Sequence, residues 1–210
     1  MRKNEKSWNF DNSADRYDEI VKANSMLYER YDDVLDTVVE ISNVSLGKRV
    51  LDIGTGTGNL ALRCLARGAE VIGLDPSEKM LAKAKEKVED NPKARFLRVD
   101  EPFLNIPYPN AYFDAVISTY AFHHVPHHRK SIGIHEMVRV LKLGGSWVLG
   151  DLAFENAQEE EKALHKFEWL EEEYFSRIED LRPVFVELGM ELATRQFTPV
   201  TWILWSIKSN

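Results

Sequence analysis

The chain has 210 residues, 44% hydrophobic and 29% charged, a length that fits one domain of about 150 residues better than two. Its 27 Lys and Arg against 34 Asp and Glu leave a net charge of −7, which argues against a general polyanion binder, because such proteins carry a basic face. A single cysteine, Cys64, excludes an internal disulfide framework and a Cys-rich zinc site.

The N-terminus, Met1 to Phe10, has charges and a Trp but no apolar stretch, so it does not read as a secretory signal. Residues 11–43 read as helix, with Leu27, Tyr31, Leu35 and Val38 recurring at spacings of three and four. A short apolar strand, Arg49 to Ile53, leads into Gly54-Thr55-Gly56-Thr57-Gly58, and a helix follows from Asn59 to Arg67. Strand Glu70 to Leu74 runs into Asp75-Pro76-Ser77, where Ser77 suits the N-cap of a helix carrying Met80, Leu81 and Ala84. Ala94 to Val99 is a third strand and Phe113 to Ser118 a fourth, which enters a loop rich in Tyr and His. Ile132 to Leu141 is helical, and Gly144-Gly145 turns it into strand Ser146 to Leu152. Residues 155–173 and 177–188 read as helices, and Leu192 to Phe197 and Thr201 to Ile207 as strands. So short a connection makes the last two antiparallel.

Five βα units and a terminal antiparallel hairpin predict an α/β fold, a Rossmann-like, doubly wound, mostly parallel sheet of seven strands. No linker or repeat marks a boundary, so residues 1–210 are expected to form a single domain. Within it, residues 1–43 would be a helical lid, 44–152 the core, and 153–210 variable helices and the hairpin. No apolar run nears the roughly 20 residues of a membrane span. A soluble, cytoplasmic protein is expected, monomer or homodimer, with no membrane or nucleic-acid partner.

Open parallel sheets bind ligands beyond the carboxyl ends of their strands. This sequence delivers there Asp52, Gly54, Gly56 and Gly58, then Asp75, then Asp100 and Glu101. Any one of these acids could equally be a helix cap or turn acid. Glycine lets backbone approach a ligand closely, and a helix N-terminus favours an anion. A dinucleotide fingerprint, G-x-G-x-x-G/A, would require Gly or Ala where Asn59 stands. That departure disfavours nicotinamide and flavin cofactors and the oxidoreductase reading.

Val50-Leu51-Asp52-Ile53-Gly54-Thr55-Gly56-Thr57-Gly58 resembles motif I of class I S-adenosylmethionine-dependent methyltransferases. Val71 to Ser77, Val99-Asp100-Glu101, Phe113 to Val116 and Arg139 to Gly145 are similar to its later motifs, in order, over about residues 45–152. The form Gly-Thr-Gly-Thr-Gly-Asn-Leu most resembles the YrrT-like bacterial methyltransferases. The resemblance implies S-adenosyl-L-methionine as cofactor and a small-molecule methyl acceptor. It implies that Asp75 accepts from the ribose hydroxyls, Pro76 lies against adenine, and Asp100 accepts from the adenine amine with Glu101 adding a backbone contact. The Gly54–Gly58 backbone would pack on ribose and methionine, while Asp52 organises the loop or meets the methionine ammonium through water. A protein of this fold that binds the cofactor without transferring its methyl group is the alternative.

Four histidines, His123, His124, His127 and His128, fall within six residues after the fourth strand. Metal binding is one reading and a structural or substrate-lining role another, and no metal is expected because no Cys lies nearby. His124 is the candidate general base. The Asn/Asp-Pro-Pro-Tyr/Phe element of adenine and amide methylation is absent, Ser118-Thr119-Tyr120-Ala121 standing in its place. Tyr17 would either close over the cofactor or pack between helices, and Cys64 reads as a core position. Trp169, Tyr174 and Phe175 would line a pocket or cover the sheet, and Glu159-Glu160-Glu161 reads as a solvated helix face.

Overall fold

The structure, a computed structural model, describes residues 10–12, 14–23, 26–89, 91–168, 170 and 173–209. Strands β1 (Arg49–Ile53), β2 (Glu70–Asp75), β3 (Ala94–Arg98), β4 (Phe113–Thr119) and β5 (Leu141–Phe154) are parallel. A two-residue strand, β6 (Ser176–Arg177), adds to the end of β5, and β7 (Ala193–Gln196) and β8 (Thr201–Ile207) are antiparallel. The order is β3-β2-β1-β4-β5-β8-β7. The sequence direction of the sheet therefore reverses between β1 and β4, and the crevice beyond their carboxyl ends is where such sheets hold ligands.

Both faces of the sheet are covered, which is why its strands read as nearly continuous apolar runs. Val50, Ala115 and Ile117 face one side, against α2 (Tyr31–Ile41), α3 (Asn59–Ala66) and α4 (Glu78–Lys87). Leu51, Ile53 and Val116 face the other, against α5 (His127–Val140) and α7 (Ile178–Glu187). Each fully buried Val, Leu, Ile or Phe contributes about 1.5–3 kcal/mol, so the two apolar layers dominate the stability. Ser77 caps α4 as its sequence position predicts, accepting from the Met80 amide at 3.1 Å. Cys64 is wholly buried, in keeping with a core position. Among the described residues no helix is long and apolar enough to cross a membrane.

Three expectations need correction. The single helix over 11–43 is two helices, α1 (Tyr17–Lys22) and α2, with 3-10 turns at Phe10–Asn12 and Met26–Tyr28. Arg30 breaks the path by adopting a left-handed φ of +59° just before α2, a conformation that sidechain periodicity does not report. The helix over 155–173 stops early, as α6 (Ala157–Lys166). Glu160 does not belong to a solvated face: it is buried, and Arg177 Nε donates to it at 2.7 Å. A buried carboxylate without such a partner would be costly.

Candidate functional site

A cavity of about 700 Å³ lies over the carboxyl ends of the parallel strands, within the size range of small-molecule sites. Gly54, Gly56, Asp75, Pro76, Asp100, Glu101 and His124, all singled out from sequence, line it. Asp52 does not.

The loop after β1 forms one wall, and backbone geometry dictates its glycines. Gly54 has φ +70° and a Cβ there would stand 2.4 Å from that of Ala121, so this residue lets the loops after β1 and β4 meet. Gly56 has φ +53°, and a Cβ on it would meet nothing within 4 Å. Its backbone is thus open to close approach by a ligand. The Gly56 amide donates to Asp75 Oδ2 at 2.9 Å and the Ser77 amide to Oδ1 at 2.9 Å. Burial pushes the Asp75 carboxyl above its ordinary range, against the pull of those two amides. A carboxylate has about four acceptor positions. Two are used here, which leaves room for a pair of hydroxyls.

Asp52 faces inward. Its Oδ2 accepts from the Thr55 hydroxyl at 2.7 Å. Burial pushes its carboxyl up to about 7, with the Thr55 bond opposing and the Asp75 charge adding. Of the two roles expected for Asp52, organising the loop is the one its contacts favour. Asp100 and Glu101 sit at the exposed rim, Asp100 taking Arg98 at 3.2 Å and Glu101 paired with Arg129.

The N-terminal segment crosses this wall. Asp18 Oδ1 accepts from the Thr57 hydroxyl at 2.7 Å and from Asn59 Nδ2 at 3.1 Å, while Lys87 Nζ donates to Oδ2 at 2.8 Å. Burial works against the Asp18 charge, yet these donors hold its carboxyl below the ordinary range. Asp11 accepts from the Ser77 hydroxyl at 2.6 Å. Tyr17, Tyr28 and Tyr31 gather with Tyr120: the Tyr31 and Tyr120 rings stack at 5.5 Å, and Tyr28 lies 5.3 Å from Tyr120. Burial raises all three N-terminal phenols, so they stay neutral. Tyr17 both packs in this cluster and lines the cavity.

The opposite wall comes from the loop after β4 and the segment before β6. The His124 ring lies 5.0 Å from Phe10 and 4.1 Å from His123, and its Nδ1 is 3.9 Å from Glu173. His123, which the sequence named in the histidine loop but not as the base, is the histidine held by an acid: its Nδ1 is 2.5 Å from Asp151 Oδ1. Asp151 was missed, although an acid inside the apolar run of β5 was a visible signal. The nearby Lys130 is buried, and burial pushes its ammonium down to about 7 against the pull of Asp151 and Glu160. Tyr174 and Phe175 line the cavity, and Phe175 also packs on Phe154 at 5.3 Å. Trp169 lies outside the described residues. Among the described residues, no group of three or more His, Cys, Asp or Glu side chains is placed to hold a metal ion.

Comparisons with known proteins identify the family. Residues 50–145 match the family described as a methyltransferase domain. An uncharacterized methyltransferase of Geobacillus sp. (strain WCH70) is 33% identical, over 95% of this chain and 92% of that protein. The uncharacterized methyltransferase YrrT of Bacillus subtilis (strain 168) is 32% identical, over 95% and 96%. Among solved structures, a SAM dependent methyltransferase from Aquifex aeolicus superposes with a TM-score of 0.70 at 17% identity, covering 96% of this chain and 100% of that one. Relatives this similar over nearly their whole length establish the lineage: the chain belongs to the methyltransferase family, among the YrrT-like bacterial members.

Proposed function

We propose that this protein transfers a methyl group from S-adenosyl-L-methionine to a small-molecule acceptor held in the same cavity. The observation that carries the reading is Asp75, a buried carboxylate steadied by two amides, facing a cavity beside a glycine whose Cβ position is open. Asp75 receives the two ribose hydroxyls and Pro76 lies against adenine. Asp100 and Glu101 meet the adenine edge at the rim, and the Gly54 and Gly56 backbone supports ribose and methionine. When bound, the cofactor supplies an electrophilic methyl on a sulfonium sulfur. The protein's part is to hold acceptor and methyl in line, an effect worth about 7–11 kcal/mol in well-oriented systems. The N-terminal segment, tied down through Asp18 and Asp11, serves as a lid over donor and acceptor.

A nicotinamide dinucleotide fits less well. The dinucleotide loop needs Gly or Ala where Asn59 stands, and the Asn59 side chain is tied to Asp18 and Lys87. S-adenosylhomocysteine or S-adenosylmethionine should therefore stabilise the protein, by about 2.7 kcal/mol at a hundredfold excess over Kd. For a domain of this size that is ~5–11 °C of Tm, and nicotinamide dinucleotides should give no shift. Absence of a shift with either sulfur compound at millimolar concentration would remove the cofactor assignment. Formation of labelled product from labelled methyl donor and a bacterial metabolite extract separates an enzyme from a protein that only binds the cofactor.

A further inference from the structure

Of the two adjacent histidines in the cavity wall, one is built into the fold. His123 is 5% exposed. Its amide donates to Asp151 Oδ2 at 3.0 Å, and its Nδ1 lies 2.5 Å from Oδ1 of the same carboxylate. Asp151 stands within β5, 1% exposed, and its Oδ1 also accepts from the Leu152 amide at 2.7 Å. Because an ionised carboxylate only accepts, the proton between the two groups belongs to Nδ1, so that in the neutral ring the lone pair is on Nε2. Nε2 makes no hydrogen bond among the described residues and is not sealed in protein, since the ring lines the cavity.

The surroundings keep Asp151 charged. Burial opposes the charge, but the hydrogen bond from His123, the Leu152 amide and the nearby Lys130 hold the carboxyl below its ordinary range. Lys130 comes from α5 and donates to the Phe122 carbonyl at 2.8 Å. The other titratable groups facing the pair are His124 beside the ring, Tyr28 from the N-terminal segment and Tyr120 from the end of β4, with Glu160 beyond Lys130. Tyr174 fixes the backbone from the far side, its amide donating to the His123 carbonyl at 3.1 Å.

We propose that His123 is the proton acceptor of the methyl transfer and Asp151 its positioning residue, so that the acceptor is a compound whose nucleophilic atom carries a proton, as a hydroxyl, thiol or ammonium does. The assignment rests on the methyltransferase reading above. His123 Nε2 takes the proton from the acceptor's oxygen or sulfur as that atom bonds to the methyl carbon, or from an ammonium nitrogen before it bonds, since only loss of the proton frees that nitrogen's electron pair. The methyl–sulfur bond breaks, its electron pair remains on sulfur, and the imidazolium formed faces the Asp151 carboxylate until it loses the proton to solvent. A tertiary amine or a thioether has no proton to give, and the pair would be idle toward it.

The test begins with the protein alone, labelled with 15N histidine. NMR should find one buried histidine protonated at Nδ1 and bare at Nε2, absent from H123N and without a fixed tautomer in D151N. H123N should bind S-adenosylhomocysteine with wild-type affinity by calorimetry. It should also transfer labelled methyl to a bacterial metabolite extract about 10²- to 10⁴-fold more slowly, without the acid limb of the wild-type pH profile. An Nε2-protonated His123, or transfer by H123N at the wild-type rate, would overturn the proposal and leave the cofactor site standing. Failure of the wild-type protein to bind S-adenosylhomocysteine would overturn the methyltransferase reading itself. If D151N does not fold, the wild-type tautomer and the H123N transfer rate decide.

Discussion

Alanine at Gly54 or at Gly56 separates what the loop after β1 does for the fold from what it does for a ligand. Both residues have positive φ, +70° and +53°, where an L side chain costs about 1–2 kcal/mol. At Gly54 the new Cβ would also stand 2.4 Å from that of Ala121, and relieving such an overlap costs a further ~1–3 kcal/mol. G54A should thus lose about 2–5 kcal/mol, or ~4–20 °C of Tm at this chain length. At Gly56 the new Cβ meets nothing within 4 Å, so only the backbone strain remains, about 1–2 kcal/mol. Its methyl group instead occupies space beside the cavity that, under the proposed function, the cofactor needs. G56A should weaken S-adenosylhomocysteine by at least tenfold, about 1.4 kcal/mol. Urea denaturation reads the first effect and isothermal calorimetry the second. Wild-type affinity in folded G56A would place the cofactor elsewhere, and wild-type stability in G54A would refute the close approach of the two loops.

Under the proposed function, Asp75→Ala removes an acceptor of two ribose hydrogen bonds worth about 1.5–3 kcal/mol each. Calorimetry should record at least a tenfold loss of S-adenosylhomocysteine affinity, and an unchanged Kd in a folded variant would refute the ribose role. His124→Gln should raise KM and leave kcat nearly intact, as loss of uniform binding does; a collapse of kcat would move the base to His124. Asp52 predicts a pH dependence. Its folded carboxyl is pushed up to about 7, from ~3.9 unfolded, so the native state binds the extra proton and stability falls as pH rises between those values. The shift bounds the loss at ~4 kcal/mol. D52N should therefore gain on the wild type between pH 5 and pH 8 in urea denaturation, and parallel pH curves would show that Asp52 is ionised throughout.

The sheet and the strand-end residues are legible in the sequence because apolar runs buried on both faces end abruptly in Asp and Gly. Gly54, Gly56, Asp75 and Pro76 follow directly from where β1 and β2 stop. What was not legible depends on residues far apart in the chain. Periodicity runs unbroken through 11–43 because it records which positions are buried, and Arg30 turns the path without changing that pattern. Glu160 looks solvated beside Glu159 and Glu161 until Arg177 is brought against it. His123 and His124 are indistinguishable as neighbours. The pairing of Thr119 with Gly150 places the end of β4 beside Asp151, and that register selects His123.

Asn59, which spoils the dinucleotide spacing, has a structural use of its own. In a dinucleotide site that position is small so that helix and strand can pack closely. Here the Asn59 side chain donates to Asp18 and to the Tyr31 hydroxyl and accepts from Lys87 Nζ at 2.6 Å. Glycine would break all three bonds and free the N-terminal segment from the loop. The same few residues therefore do two things: their backbone leaves the cavity wall open at Gly56, and the side chains of Thr57 and Asn59 hold the segment carrying Asp18 across it. Under the proposed function, the loop that supports the donor is also the loop that anchors the segment lying over it, with Asp52 behind it holding Thr55.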